Sequence, residues 1–70
     1  MKPWENNRNG DPRQLLHEAK IFETWAEEHR RDAEIYPETA AESLLAACHY
    51  AEVAADYRRW AEEQSNGDAL

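Results

Sequence analysis

The hydrophobic and polar positions of this chain follow the period of an α-helix over two long stretches. The first stretch carries a stripe that recurs every three or four residues, at Leu15, Ala19, Phe22, Ala26, His29 and Ala33. This spacing places all of them on one side of a helix, where they can pack at a shallow angle against a second helix. The pattern predicts helix 1 over about residues 12–34.

A helix start stands directly before this stripe. Asp11 is suited to the N-cap position, and Pro12 is suited to the first helical position, where the missing N–H costs nothing. Gln14 occupies the position that would complete a capping box with Asp11. These three residues therefore support a start of helix 1 near residue 12.

Pro37 separates the two helical stretches. Proline has no N–H for the helical ladder and disfavours the α conformation in the residue before it, so we expect a turn over about residues 35–38. Two starts compete for the next helix: Pro37 as its first residue, or Thr39 as N-cap with Glu42 closing a T-x-x-E capping box. We expect a first turn near Pro37 that becomes regular by Ala40, and helix 2 over about residues 38–64.

The two ends of the chain are expected to be tails. Residues 1–10 contain Pro, Gly, three Asn and one large apolar residue, Trp4, which is too little apolar surface to order a segment by itself. Gly67 is suited to the left-handed conformation that ends a helix, so residues 66–70 should form a short C-terminal tail. Residues 11–65 then hold two helices of roughly 35 Å with a short link, which favours an all-α, antiparallel helical hairpin.

Helix 2 has two apolar faces, about 180° apart at roughly 100° per residue. One face is aromatic and consists of Ala46, Tyr50, Val53, Tyr57 and Trp60. The other consists of small residues and one leucine, at Leu44, Cys48, Ala51 and Ala55. Helix 1 can cover only one of them, so the other should meet a second chain.

We expect the small-residue face to lie inside the hairpin, with Cys48 as a buried, unreactive thiol. The aromatic face would then pair two hairpins into a dimeric four-helix bundle, and a higher even oligomer is also compatible. Burying about 1,000 Å² at roughly 25 cal/mol/Å² gives on the order of 25 kcal/mol, against roughly 4 to 15 kcal/mol for association. The expected interface is Ile21, Trp25, Tyr50, Val53, Tyr57 and Trp60. The reverse assignment, with the aromatic face inside and the alanine face between two chains, remains open.

The composition of the chain indicates which partners and which cell compartment to expect. The chain has 70 residues, 15 acidic against 8 basic side chains and a net charge of −7, which disfavours direct binding to nucleic acids and anionic membranes. Cys48 is the only cysteine, and no run approaches 18 apolar residues, so we expect a protein of the cytoplasm without disulfides. Many alanines and an excess of arginine over lysine suggest a bacterial or phage origin.

The residues that could carry chemistry do not form a recognised catalytic pattern. Di-iron bundles place Glu three residues before His, but Gln14, Ala26 and Ala46 stand before the three histidines His17, His29 and His49. A dimer could pool His49, Glu52 and Glu42 around a metal ion, which is a less favoured alternative. We therefore predict no enzymatic activity, no cofactor and no metal site.

The acidic residues of helix 1 suggest how the protein acts. Glu23, Glu27 and Glu34, with Glu38 beyond them, would form an acidic ridge in a dimer that imitates an array of phosphates. We therefore expect a regulator or inhibitor that occupies a basic surface of a partner protein. A structural assembly module and a ligand- or metal-binding bundle are the alternatives.

Overall fold

The chain folds as an antiparallel hairpin of two long helices. A computed structural model describes residues 2–68, with side chains through residue 65. Helix α1 spans Pro12–Ile35 and helix α2 spans Ala40–Asp68, and a 3₁₀ turn at Pro3–Asn7 precedes α1. This confirms the all-α hairpin. Neither helix, over the range the structure describes, has the length and apolarity needed to cross a bilayer.

The start of α1 follows the local sequence signals. The carboxylate of Asp11 accepts a hydrogen bond of 2.9 Å from the backbone N–H of Arg13, and Pro12 is the first helical residue. The side-chain amide of Gln14 donates to Glu18 at 3.2 Å, so it follows the helix and does not reach back to Asp11. The N-cap is formed by Asp11 without the capping box.

The link between the helices is a single 3₁₀ turn at Pro37–Thr39, after which α2 is regular from Ala40. This agrees with the expected first turn near Pro37. At its other end α2 continues to Asp68, past the expected end near Gln64. Gly67 permits the left-handed conformation but does not impose it, and no proline follows that would block the helix. Residues 69 and 70 of the expected tail lie outside the described residues.

The aromatic face of α2 lies inside the hairpin, so the expectation that the small-residue face fills the interior is wrong. Val53, Tyr57 and Trp60 are each only 3 % exposed. They pack on the side of α1 where Leu15 and Ala19 are fully covered. Large side chains of α2 fill the space that the small residues of α1 leave, whereas alanines facing alanines would bury much less apolar area.

Residues 2–10 are also packed, which corrects the expectation of a flexible tail. They fold back along α2 as a segment that we call the strap, and Trp4 packs against the core of the hairpin. The strap obtains its order from α2 because its own few apolar groups could not supply it. The described part of the chain measures 50 × 22 × 13 Å. The shortest dimension, 13 Å, is close to the thickness of one helix, so both broad faces of the hairpin meet solvent.

Candidate partner-binding surface

A buried carboxylate on α2 holds the strap in place. Asp56 is almost completely covered, and it accepts hydrogen bonds from the indole N–H of Trp4 at 2.8 Å and from the Lys2 ammonium at 3.0 Å. The guanidinium of Arg59 donates to its other oxygen at 3.0 Å. Burial alone would raise the pKa of Asp56, but these donors and the two cations outweigh it and hold the pKa below its ordinary value.

Further polar contacts extend this attachment along the strap. Lys2 also pairs with Glu52 at 2.9 Å, and its hydrogen bonds to Glu52 and Asp56 raise the pKa of the ammonium. The amide of Asn7 donates to the hydroxyl of Tyr57 at 2.7 Å. The amide of Gln64 donates to the backbone carbonyls of Arg8 and Gly10 at 2.9 and 2.8 Å. The strap is therefore bound at its beginning, middle and end.

Aromatic rings form a connected cluster between the strap and α1. Tyr50 is its centre: Phe22 stacks on it at 5.9 Å and His29 at 5.5 Å between ring centroids. His49 lies between Trp4 and Tyr50, at 5.3 Å from each. Both histidines are thus engaged in ring packing. Over the described residues, no three His, Cys, Asp or Glu side chains are gathered as a metal ion would require.

Most of the expected oligomer interface is used within the chain. Val53, Tyr57 and Trp60 are buried and Tyr50 is half-buried, so they are not available to a second hairpin in this fold. Only Ile21 and Trp25, on the flank of α1, remain exposed. The expectation that the aromatic face of α2 is left uncovered within its own chain is therefore wrong.

The alanine face is the broad surface that the hairpin leaves open. Cys48 is exposed, so the expected buried thiol is wrong, and Leu44 beside it on this face is exposed too. A shallow groove of about 300 Å³ runs between the helices on this side, lined by Glu23, Ala26, Arg30, Ala51, Ala55 and Arg58.

The carboxylates of the expected acidic ridge have different environments. Glu23 is bound by the guanidinium of Arg58 through two hydrogen bonds, of 2.7 and 2.6 Å. The hydrogen bonds from Arg58 hold the pKa of Glu23 below its ordinary value. Glu23 thus joins α1 to α2 and is not free for a partner, whereas Glu27 and Glu34 are exposed.

A different surface combines exposed apolar groups with free acidic groups. We call residues 34–45 the turn end, and they contain three glutamates, Glu34, Glu38 and Glu42, but no lysine, arginine or histidine. All three are exposed, and none takes part in an ion pair within the part of the chain that the structure describes. Its exposed large apolar side chains are Ile35, Tyr36, Leu44 and Leu45.

Sequence reasoning missed most of the apolar part of the turn end. The apolar pattern places Leu44 in the hairpin core and gives no role to Ile35 and Tyr36 at the expected turn or to Leu45 in helix 2. The signal was present, because Ile35 and Leu45 both fall outside the core stripes of their helices.

Comparison with protein-family models, with curated proteins and with solved structures finds no match to this chain. The surface chemistry is therefore the basis for a functional proposal.

Proposed function

We propose that this protein is a non-enzymatic, acidic helical module that regulates or inhibits a partner protein by binding it through the turn end. The observation that carries the proposal is that exposed apolar side chains lie at one end of the hairpin together with carboxylates that form no ion pair among the described residues. Leu45 is 72 % exposed and Tyr36 is 58 % exposed. Apolar groups exposed together on a small soluble protein are typical of an interaction site.

The two kinds of group have separate roles in this proposal. Buried apolar anchors supply most of the binding energy at a protein interface, whereas charges at its rim speed encounter and select partners. The partner should therefore offer an apolar hollow surrounded by lysine or arginine. Such a basic surface would otherwise be open to phosphate-bearing ligands, and its occupation would inhibit their binding. The single cysteine, exposed and unpaired in this chain, fits a reducing cytoplasm.

Capture of partners from a cell lysate with the full chain tests the role of the apolar anchors. We expect Leu45→Ser to abolish capture of a partner that the unchanged chain retains. Leu16→Ser is the matched control, because Leu16 is an exposed leucine on α1, away from the turn end. Equal capture by both variants would contradict the proposal.

Neutralisation of the carboxylates tests the role of the rim. We expect the double variant Glu34→Gln, Glu38→Gln to slow association and to remove its salt dependence between about 0.05 and 0.5 M. The control Glu5→Gln, Glu62→Gln removes two exposed carboxylates elsewhere and should leave both properties unchanged. Circular dichroism checks that the helices are intact in every variant.

Self-assembly through the alanine face is the second candidate function. The exposure of Leu44 and Cys48, with Ala51 and Ala55 beside them, favours it, because small residues let two helices approach closely. Two hairpins joined by this face would form a four-helix bundle. Light scattering should then give twice the chain mass of 8.2 kDa, and Leu44→Glu should return the single mass. A mass of 8.2 kDa for the unchanged protein at micromolar concentration would exclude this candidate.

A further inference from the structure

A second stripe runs along α1 beside the one that packs in the core. Its members recur every three or four residues, at Glu18, Ile21, Trp25, Glu28 and Asp32. We call it the flank stripe. It has an apolar centre, in which Trp25 is 43 % exposed and Ile21 is also exposed, and acidic groups on both sides of that centre. It shares no residue with the turn end.

The apolar centre of the flank stripe borders a groove of about 260 Å³. Ile21, Phe22 and Trp25 line it from α1, Tyr57 from α2 and Asn7 from the strap. Trp25 is held by edge contacts of 5.4 Å with both Phe22 and Tyr50. The hydrogen bond from Asn7 to the Tyr57 hydroxyl fixes the far wall. The groove is therefore already formed in the free chain, which lowers the ordering cost of binding.

The acidic groups bracket this groove. Glu18 lines one end of it, and Glu28 lies ten positions further along α1, roughly 15 Å away at about 1.5 Å per residue. Neither carboxylate takes part in an ion pair over the range the structure describes. An occupant of the groove would thus meet an apolar centre with a negative charge on each side.

We propose that the flank stripe is a docking site for a basic amphipathic helix of a partner protein. The negative charges of Glu18 and Glu28, and the length of α1 between them, favour this occupant. A helix laid along the stripe places apolar side chains in the groove, and cations about eleven residues apart, which share one face at roughly 100° per residue, then reach Glu18 and Glu28. The helical repeat makes this spacing specific. Cations about five residues apart would point to nearly opposite sides of the helix, so only one of them could face the stripe.

Calorimetric titration of the full chain with helical peptides of about eighteen residues tests the spacing. One peptide carries two lysines about eleven residues apart with leucines between them, and the control has the same composition with the lysines about five apart. We expect the first peptide to bind at least about tenfold more tightly than the second. Equal affinity, or no binding of either peptide, would overturn the proposal.

Variants of the chain assign the binding to the flank stripe. Glu18→Lys, Glu28→Lys should weaken binding of the first peptide at least about tenfold, whereas the control Glu5→Lys, Glu62→Lys should change it less than about threefold. Ile21→Ser should weaken it comparably, with unchanged circular dichroism. Leu45→Ser should leave it unchanged, which separates this site from the turn end. Equal losses in the flank and control variants would show attraction by net charge alone and would refute a defined site.

Discussion

Asp56 shows how one polar residue can order a distant part of the chain. A buried carboxylate is unfavourable unless charged or hydrogen-bonding partners compensate it. Asp56 has such partners in Lys2, Trp4 and Arg59, and two of these belong to the strap. Asp56 therefore joins the strap to α2 from within an otherwise apolar contact. Its substitution should weaken the strap and the hairpin together.

Asp56→Asn should lower the free energy of unfolding by about 1–3 kcal/mol, because a neutral amide at this buried position loses the charge that pairs with the Lys2 ammonium and the Arg59 guanidinium. Urea denaturation followed by circular dichroism measures this change. Glu62→Gln is the control: Glu62 is exposed on the same helix, so its loss should cost less than about 0.5 kcal/mol. Equal stability of the two variants would contradict the role assigned to Asp56.

The dependence of stability on pH follows from the same carboxylate. The folded chain lowers the pKa of Asp56 below its ordinary value of 3.8 and that of Glu23 below 4.5. Their contribution is therefore complete above those ordinary values and is lost as the pH falls through the lower values of the folded state. We expect the free energy of unfolding to be level near neutral pH and to fall below about pH 4.

The fall in the free energy of unfolding at low pH should be smaller in Asp56→Asn, which lacks the titrating group. It should be unchanged in Glu62→Gln. Urea midpoints at several pH values between about 3 and 7 provide the comparison. Parallel pH profiles for the unchanged chain and Asp56→Asn would show that other carboxylates cause the loss.

At the scale of the elements, the strap depends most on another element for its order, because its side-chain hydrogen bonds run to α2. Its 3₁₀ turn contains no buried residue, and Trp4 is its one large apolar contact with the core. Each long helix is held by its own continuous series of backbone hydrogen bonds, whereas a five-residue 3₁₀ turn has few such bonds. The strap should therefore be released before the hairpin unfolds.

Trp4→Ala should release the strap while α1 and α2 remain helical. Rapid exchange of the backbone amide hydrogens of residues 4–10, with protection retained in both helices, is the expected result. The free energy of unfolding should fall by about 1–3 kcal/mol, less than for a fully buried tryptophan because Trp4 is only half-covered. Glu5→Ala, an exposed change in the same turn, serves as the control and should keep the protection of the unchanged strap.

At the scale of the whole molecule, a single layer of two helices cannot hide both of its faces. With a thickness of 13 Å, the hairpin buries the aromatic face of α2 against α1 and leaves the alanine face in solvent. Cys48 lies on that open face. Its reactivity therefore reports on whether anything covers the face in solution.

In the single hairpin, Cys48 should react with a thiol reagent at nearly the rate measured in the unfolded chain. Stopped-flow labelling at dilutions where light scattering gives 8.2 kDa makes this measurement. A rate that falls as the protein concentration rises would indicate self-association through the alanine face. Slow labelling at every dilution would contradict the exposed position of the thiol.

The sequence by itself determined the two helices and the link between them. Asp11 and Pro12 mark the start of α1, and Pro37 interrupts the chain, through effects that reach only a few residues along the backbone. The apolar period is local in the same sense, so it predicted both faces of α2. Glu34, which the sequence analysis expects on a partner surface, is exposed in the structure, and its role there stays a prediction.

Only the tertiary structure decided which face of α2 is buried and what happens to the strap. The choice of face depends on how well alanines of α1 accommodate the aromatic residues of α2, and that fit is a property of the packed pair. The strap is held by hydrogen bonds to partners 50 to 56 residues away, such as those from Lys2 and Trp4 to Asp56. Glu23 is likewise removed from the partner surface by Arg58, which lies 35 residues further along. Such pairings have no local signature, because folding alone brings the groups together.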